Sequence, residues 1–330
     1  MEKKKAVLTE DFIVPPYSVF DTRMGYWKER KKAWKEWLGV TNETREDTLY
    51  DNLEMKLPGL YISSKEERER LGVSFSDYVE GIAPEDLSKW ENVDAMNGAS
   101  SFDPVLAEIA CRWFTPGQGS SVFDCCAGGI TKGAVACQCG HSFFGTELRE
   151  EQVATNNAQA SSLGIDLQFR CDDGINISRH LGVATQDLLL SCPPYFDLEK
   201  YSDNPKDLSN QPDYNSFIER LGAVYGKAIN CLKWNRFAVI VVGDIRDKVG
   251  GCYNFPGDVV KIFQQNGCAL WNDIVIIGND AHAKIRARQY MNNRKTVRMH
   301  QRMLVFYKGR TTAIQKNFPK LTNLTSNNEI

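Results

Sequence analysis

The stretch VFDCCAGGITKGAVA, residues 122–136, combines an acidic residue with a turn of small residues. Its apolar run ends at Asp124, the turn Ala127-Gly128-Gly129 follows, and a helical pattern begins directly afterwards. Glycines in such a turn let a ligand approach the backbone closely, and the N-terminus of the following helix favours anionic groups. These residues therefore predict a small-molecule site at the turn.

Acidic residues also close the next two apolar runs. Glu147 ends FFGTE, 18 residues beyond Gly129, and Asp172-Asp173 end FRCDD. A carboxylate at Glu147 can accept hydrogen bonds from ribose hydroxyls. An acid at Asp172-Asp173 can meet an adenine amino group. Each acid could instead be an ordinary helix cap. Three consecutive runs that end in this way favour a nucleoside site.

A fourth apolar run, in LLLSCPPYFD (188–197), ends in the rigid corner Cys192-Pro193-Pro194-Tyr195. In open α/β sheets ligands bind beyond the carboxyl ends of the strands, so this corner is expected to face the same crevice as the acids. A second Pro-Pro-Tyr at 15–17 follows no such run, and we interpret it as a packed loop.

The elements that would position these residues alternate from about residue 100 onward. Runs rich in β-branched and aromatic residues alternate with amphipathic helical patterns, which is typical of a mostly parallel sheet with helices on both sides. The predicted strands are 120–126, 141–147, 166–171, 187–192, 236–244, 272–278 and 302–308. Residues 1–95 lack this alternation, although 26–40 predict a helix whose aromatic residues form a packing face.

Charge is distributed unevenly, although the formal net charge is only −2. Residues 281–310 contain no acidic residue and nine basic ones, whereas 64–94 are rich in Asp and Glu. A basic segment of this kind indicates a polyanionic partner, and the alternative is a solvated hairpin. The candidate nucleic-acid contacts are Lys284, Arg286, Arg288, Arg294, Lys295 and Arg298.

The 330 residues suffice for one large domain, or for a core of ~200 residues with a smaller partner. Because no apolar run approaches the ~18 residues of a membrane span, we expect no membrane contact. Ten cysteines without paired spacing favour a reducing cytoplasm. Cys137, Cys139 and His141 have no second ligand pair elsewhere, so CQCGH predicts a helix end and no metal site.

In this order the motifs resemble the amino-directed, S-adenosylmethionine-dependent DNA methyltransferases, which modify adenine N6 or cytosine N4. The family's corner is Asp/Asn/Ser-Pro-Pro-Tyr/Phe, and an Asp-x-x-x-Gly turn precedes it. Residues 101–114 (SFDPVLAEIACRWF) are similar to the family's helix before that turn, and 300–309 (HQRMLVFYKG) to its last strand. The resemblance covers about residues 96–310 and is closest to phage and prophage enzymes.

The resemblance implies a Rossmann-like class I methyltransferase fold, with a seven-stranded, mostly parallel sheet and an antiparallel last strand. It implies S-adenosyl-L-methionine as cofactor, DNA as partner, a flipped-out target base, and a location in the cytoplasm of a bacterial host. The expected cofactor residues are Phe102, Asp103, Asp124, Ala127, Gly128, Gly129, Glu147, Asp172 and Asp173, and the expected catalytic residues are Cys192, Pro193, Pro194 and Tyr195. We accordingly divide the chain into an accessory region (1–95), a catalytic domain (96–310) and a tail (311–330).

Chemistry at the corner follows from the residue types. An exocyclic base amine is a poor nucleophile because its lone pair is delocalised, and acceptors placed against its N–H bonds shift charge onto nitrogen. The Pro193 carbonyl is fixed by the rigid turn, and Tyr195 offers a face on which a flipped base can stack. Positioning against the cofactor's electrophilic methyl group would supply much of the remaining rate.

Cys192 departs from the family pattern, and three interpretations stay open. It could accept weakly, or as a thiolate, while the Pro193 carbonyl does most of the orienting. It could be the nucleophile of carbon-5 methylation, or mark a silent homologue that only binds nucleic acid. Ser191 cannot replace it, because adjacent strand residues point to opposite faces.

We expect adenine N6 in DNA first and cytosine N4 second, with site-specific or relaxed sequence recognition. The sequence does not separate DNA from RNA, because nothing in it addresses the 2′-hydroxyl. It also leaves the oligomeric state open, a homodimer included.

Overall fold

The computed structural model describes residues 8–39, 60, 63–73, 75–83, 102–198, 201–247, 249–278, 283–321 and 324. Within these ranges, eight strands form one mixed sheet. They are β1 (Val19–Asp21), β2 (Ser121–Asp124), β3 (Ser142–Glu147), β4 (Gln168–Cys171), β5 (Gln186–Ser191), β6 (Leu232–Val242), β7 (Cys268–Ile277) and β8 (His300–Lys308).

The strand order is β1-β7-β8-β6-β5-β2-β3-β4. Strand β8 runs antiparallel to both of its neighbours, β6 and β7, and every other pairing is parallel. The carboxyl ends of the seven parallel strands therefore lie at one edge, together with the start of β8.

Helices cover both faces of the sheet. In chain order they are α1 (Leu8–Phe12), α2 (Gly25–Leu38), α3 (Lys65–Leu71), α4 (Phe75–Glu80), α5 (Pro104–Phe114), α6 (Thr131–Gln138), α7 (Glu150–Leu163), α8 (Ile177–Leu181), α9 (Tyr214–Cys231), α10 (Phe255–Gln265), α11 (Ala283–Met291) and α12 (Ile314–Asn317). One layer contains α2, α5, α6 and α7, and the other contains α8, α9 and α10. Alternate strand residues, such as Phe123 and Leu189, pack against the second layer.

The predicted Rossmann-like α/β class is confirmed, and all seven predicted strands are present. The predicted strand number is corrected from seven to eight by β1, which pairs with β7 at Val19, Phe20 and Asp21. Three residues are too few to show an alternating pattern, so this strand was not predicted. The predicted N-terminal helix is confirmed as α2, with Trp27 and Trp34 buried in its packing face.

Helix α2 lies against α5 through buried polar contacts. Glu108 of α5 is fully buried and accepts hydrogen bonds from the Arg30 guanidinium and from Trp34 Nε1, the latter at 2.8 Å. These cations and donors hold the pKa of the Glu108 carboxyl below its usual value, although burial alone would raise it. The N-terminal helix is thereby joined to the helix that precedes β2.

The chain divides into two compact units, 1–39 with 102–330, and 40–101. In the second unit the Tyr78 hydroxyl of α4 donates to Glu67 of α3 at 2.7 Å. The domain boundaries at residues 95 and 310 stay a prediction. Residues 40–59 and 84–101 of the predicted accessory region and helix start, 279–282 of the basic segment, and most of the tail beyond 321 lie outside the described residues.

Within the ranges that the structure describes, none of the helices is long and apolar enough to cross a membrane.

Candidate active site at the carboxyl edge of the sheet

Three adjacent strands bring together the residues that the sequence separates. Strand β2 lies between β3 and β5 and ends at Asp124, while β3 ends at Glu147 and β5 ends at Ser191. The turn after β2, the Glu147 carboxylate and the corner at Cys192 therefore share one edge of the sheet.

The turn after β2 is held by hydrogen bonds to β3. Ala127 N donates to the Thr146 carbonyl at 2.9 Å, and Gly128 N donates to Glu147 Oε2 at 3.0 Å. Gly128 has a φ of 59°, in the left-handed region that only glycine adopts without strain. Glycine at this position therefore lets the backbone turn sharply between β2 and α6.

Glu147 keeps its carboxylate at the edge while both oxygens accept backbone N–H groups. Oε1 accepts from Arg149 N at 3.0 Å and Oε2 accepts from Gly128 N. Burial raises the pKa of Glu147, and these two hydrogen bonds oppose the rise. Each oxygen has a further lone pair, so the carboxylate can still accept a hydroxyl hydrogen bond.

Lys132 belongs to this site although it was not among the predicted site residues. Its side chain is only 5% exposed, and Nζ lies 2.7 Å from Asp124 Oδ2 and 5.1 Å from the centre of the Phe102 ring. Burial alone would lower the pKa of Lys132, but Asp124 and then Cys192 outweigh it and raise the pKa. A single charged residue in the small-residue helix TKGAVACQ was the available signal.

Asp124 has both carboxylate oxygens engaged. Oδ1 accepts from Cys126 N at 2.8 Å, and Oδ2 meets Lys132 Nζ. The carboxylate is fully buried, so the lysine neutralises a charge that would otherwise be costly. Asp124 thus fixes the start of the turn and the position of Lys132.

Asp103 contacts helices α5 and α2. It accepts from Val105 N at 3.0 Å as the N-cap of α5, and from Trp27 Nε1 at 3.2 Å. Lys31 Nζ lies 2.9 Å from the same carboxylate. These contacts position the preceding residue, Phe102, beneath Lys132.

The two acids after β4 differ in their surroundings. Asp172 is partly exposed and accepts from Asn176 Nδ2, with His180 Nε2 2.8 Å from its other oxygen. Burial would raise the pKa of Asp172, but these hydrogen bonds lower it. Asp173 is buried, caps the 3₁₀ turn Gly174–Asn176 and pairs with Arg220. Asp172 therefore remains accessible to a ligand, whereas the Asp173 carboxylate is already paired.

The Cys192 side chain, in the corner directly after β5, is half-buried. Burial raises the pKa of the Cys192 thiol, although nearby Lys132 opposes the rise. The thiol is therefore protonated at neutral pH and is a weak acceptor.

Tyr195 is fixed by its hydroxyl and its ring edge. Its hydroxyl accepts from Gln301 Nε2 of β8 at 3.0 Å, and its ring meets Phe255 edge-on at a centroid distance of 6.1 Å. The following residue, Phe196, has a φ of 50° and is buried against Tyr214 and Phe217. Aromatic packing thus maintains a strained backbone conformation directly beside Tyr195.

The basic segment lies at the same edge, because it connects the end of β7 to the start of β8. Lys284, Arg286, Arg288, Arg294 and Arg298 are exposed. Lys295 instead donates to the Val249 carbonyl at 3.0 Å and ties the segment to the loop after β6. A methyl group added at Gly243 would lie 3.4 Å from Arg298 Nη1 and 3.5 Å from Tyr195 Cε1, so both residues flank this glycine.

Among the described residues, no cluster of three or more His, Cys, Asp or Glu side chains could hold a metal ion. The CQCGH stretch forms the end of α6, with Cys139 as its C-cap.

No protein-family model matches the chain, and no curated protein matches it. Solved structures show distant similarity. Magnesium protoporphyrin IX methyltransferase from Synechocystis PCC 6803 is 14% identical, with 58% of this chain and 74% of that chain covered and a TM-score of 0.38. TrmN from Thermus thermophilus is 17% identical, with 63% and 50% covered and a TM-score of 0.43. A SAM-dependent methyltransferase from Methanosarcina mazei is 11% identical, with 58% and 93% covered and a TM-score of 0.41. The fold assignment rests on the strand order of this chain itself.

Proposed function

We propose that this chain is an S-adenosylmethionine-dependent DNA methyltransferase that modifies an exocyclic base amine. The favoured target is adenine N6. One observation carries the proposal. The Cys192-Pro193-Pro194-Tyr195 corner lies at the same sheet edge as the turn after β2 and Glu147, and Gln301 joins Tyr195 to the strand that follows the basic segment.

The residues at the edge fit the cofactor in their chemistry. Glu147 retains lone pairs for ribose hydroxyls, Asp172 is an accessible acceptor for an amino group, and the Gly128 turn lets the backbone approach closely. When bound, the cofactor would supply an electrophilic methyl group on a positively charged sulfur. Asp124 and Lys132 neutralise each other, so this pair adds no net charge to the site that would hold the cofactor.

The corner orients the base amine. The Pro193 carbonyl, whose position is fixed by the rigid turn, would accept one amine N–H and draw electron density onto nitrogen. The protonated Cys192 thiol supplies only a weak second acceptor. The Tyr195 ring, held by Gln301 and Phe255, offers a stacking face of fixed orientation.

DNA is the proposed partner because five cations of the basic segment are exposed, and one of them, Arg298, flanks the same glycine as Tyr195. Lys284, Arg286, Arg288, Arg294 and Arg298 can each contact a phosphate, whereas Lys295 positions the segment through Val249. Phosphate contacts hold and orient the duplex without reading its sequence.

Nucleoside mass spectrometry of DNA treated with the protein and S-adenosylmethionine tests the proposal. We expect N6-methyladenine in DNA digests, and its absence with Tyr195→Ala at equal protein concentration. Detection of N4-methylcytosine instead would support the same enzyme class and change the proposed target base to cytosine. 5-Methylcytosine, methylation confined to an RNA substrate, or no methylated nucleoside would contradict the proposal. A Tyr195→Phe variant, which retains the stacking face, is the matched control.

A further inference from the structure

We propose that Arg23, in the turn between β1 and α2, reads a guanine in the duplex that flanks the methylated base. The inference rests on the proposed function, since it requires DNA to lie along the carboxyl edge of the sheet. It assigns sequence recognition to an N-terminal residue outside the basic segment.

Arg23 is hydrogen-bonded to Asp21, the last residue of β1, by its side chain and its backbone. Its Nε donates to Asp21 Oδ1 and its Nη2 donates to Oδ2, each at 2.7 Å, and its backbone N also donates to Oδ1, at 3.0 Å. Met24 N closes the turn on the Asp21 carbonyl at 3.2 Å. Although fixed in this way, the Arg23 side chain is 47% exposed.

This turn is also hydrogen-bonded to the end of β7, where the basic segment begins. Thr22 donates to the Ile277 carbonyl twice, from its backbone N at 3.1 Å and from Oγ1 at 3.0 Å. Ile277 is the last residue of β7, and the basic segment follows it. Arg23 therefore stands at the same edge as the proposed phosphate contacts.

The paired carboxylate makes Arg23 better suited to a base than to a phosphate. Asp21 cancels the guanidinium charge and would repel a phosphate, but it uses only Nε and one N–H of Nη2, which leaves the second N–H of Nη2 and the N–H groups of Nη1 for a ligand. Arg23 Nη1 has no hydrogen bond to any residue that the structure describes. Two parallel outward donors match guanine O6 and N7, neutral acceptors in the major groove.

The strand order gives the expected distance between Arg23 and the target base. Four strand spacings separate β1 from β5 in the order β1-β7-β8-β6-β5. At ~4.8 Å each this is roughly 19 Å, which corresponds to about six base pairs at ~3.4 Å per step. The guanine is therefore expected about half a helical turn from the methylated base.

Methylation of duplexes that carry 7-deazaguanine tests the inference without changing the protein. Each guanine near the methylated base is replaced in turn, which removes N7 and preserves pairing. We expect one position, about six base pairs from the target, where replacement lowers kcat/KM about tenfold or more. Arg23→Ala should lose this discrimination, and Arg23→Lys should lose most of it because an ammonium lacks the fork geometry.

Two further variants complete the test. Asp21→Asn frees the guanidinium, so we expect weaker guanine discrimination together with tighter, more salt-dependent binding to any duplex. Arg170→Ala on β4, at the opposite end of the sheet, removes an exposed arginine and should leave discrimination unchanged. Circular dichroism establishes that each variant folds, and Arg23→Lys retains the side-chain stem.

The outcomes separate the inference from the function on which it rests. If the wild-type protein methylates no DNA, both fail together. If it methylates DNA but no 7-deazaguanine position affects the rate, or if Arg23→Ala keeps the wild-type discrimination, the guanine contact is wrong and the methyltransferase proposal stands.

Discussion

Burial of the Cys192 side chain and the charge of a neighbouring lysine shift the pKa of the thiol in opposite directions. Burial raises the pKa of the thiol, and Lys132 lowers it by less. We therefore expect Cys192→Ala to lower kcat less than about tenfold, because the protonated thiol is only a weak acceptor. For the same reason, rates between pH 6 and 8 should show no rise that follows thiolate formation. Steady-state methylation assays over this pH range measure both quantities.

A nucleophilic thiol predicts different results. Cys192→Ala would then abolish methylation, and a duplex carrying 5-fluorocytosine would form a covalent adduct with the wild-type protein. Cys171→Ala, which removes an exposed thiol at the last residue of β4, is the matched control.

His141 connects stability to pH. Its ring is buried, and its Nε2 lies 3.4 Å from the Thr115 hydroxyl. Burial, and then the Arg112 charge, lower the pKa of His141 from 6.5 to about 4. Because the folded-state pKa is the lower one, the unfolded chain takes up the proton first. Stability should therefore be complete above pH 6.5 and fall as the pH approaches 4, by up to about 3 kcal/mol.

Urea unfolding at pH 7 and at pH 4.5 measures this loss. His141→Gln should reduce the difference between the two pH values, whereas His300→Gln, which replaces a partly exposed ring, should not. An unchanged pH dependence in the His141 variant would show that other groups cause the loss.

Hydrophobic periodicity alone predicts those residues of the site that stand where an apolar run ends. Asp124, Glu147 and Cys192 each follow such a run, so their common edge follows from the periodicity of the chain. Gln301 carries no local signal, because its partner Tyr195 lies 106 residues earlier in the chain. Likewise, the pairing of Asp173 with Arg220 depends on a helix 47 residues later.

At the scale of elements, the pair Lys132–Asp124 couples α6 to the end of β2. Both side chains are at most 5% exposed, so removing one partner leaves a buried charge. We expect Lys132→Met to lower the free energy of unfolding by about 3–5 kcal/mol, as measured by urea denaturation.

Lys261→Met is the control for that variant. It breaks a pair with Asp258 of similar length, 2.9 Å, in which the lysine is 65% exposed. An exposed pair contributes less than about 1 kcal/mol. The double variant Lys132→Met/Asp124→Asn should recover part of the loss, since it removes the unpaired charge. Equal losses in Lys132→Met and Lys261→Met would contradict the structural role assigned to Lys132.

The long elements were predictable and β1 was not, for a physical reason. Helix α2 repeats tryptophans seven residues apart, so its buried face is visible in the sequence itself. Strand β1 contains three residues, and Phe20 is buried because β7, α2 and Trp113 of α5 supply its surroundings. An element of this length is defined by its neighbours and not by its own pattern.

At the scale of the molecule, the N-terminal residues form part of the unit that contains the sheet. Phe20, Trp27 and Trp34 are each at most 2% exposed, and β1 covers an edge of β7. A chain that begins at residue 96 would lose these contacts. It would also leave Glu108 with only Arg112 of its present cationic partners.

We therefore expect the fragment 96–330 to fail to fold cooperatively, even though it contains every residue of the candidate active site. Urea unfolding followed by near-ultraviolet circular dichroism, compared with the full chain, measures this. Trp34→Ala in the full chain isolates one contact and should cost about 3–5 kcal/mol. If 96–330 unfolds at the same urea concentration as the full chain, the boundary at residue 95 separates an independent domain. The N-terminal strand and helix would then contribute to DNA recognition through Arg23 and its surroundings, and not to stability through the core.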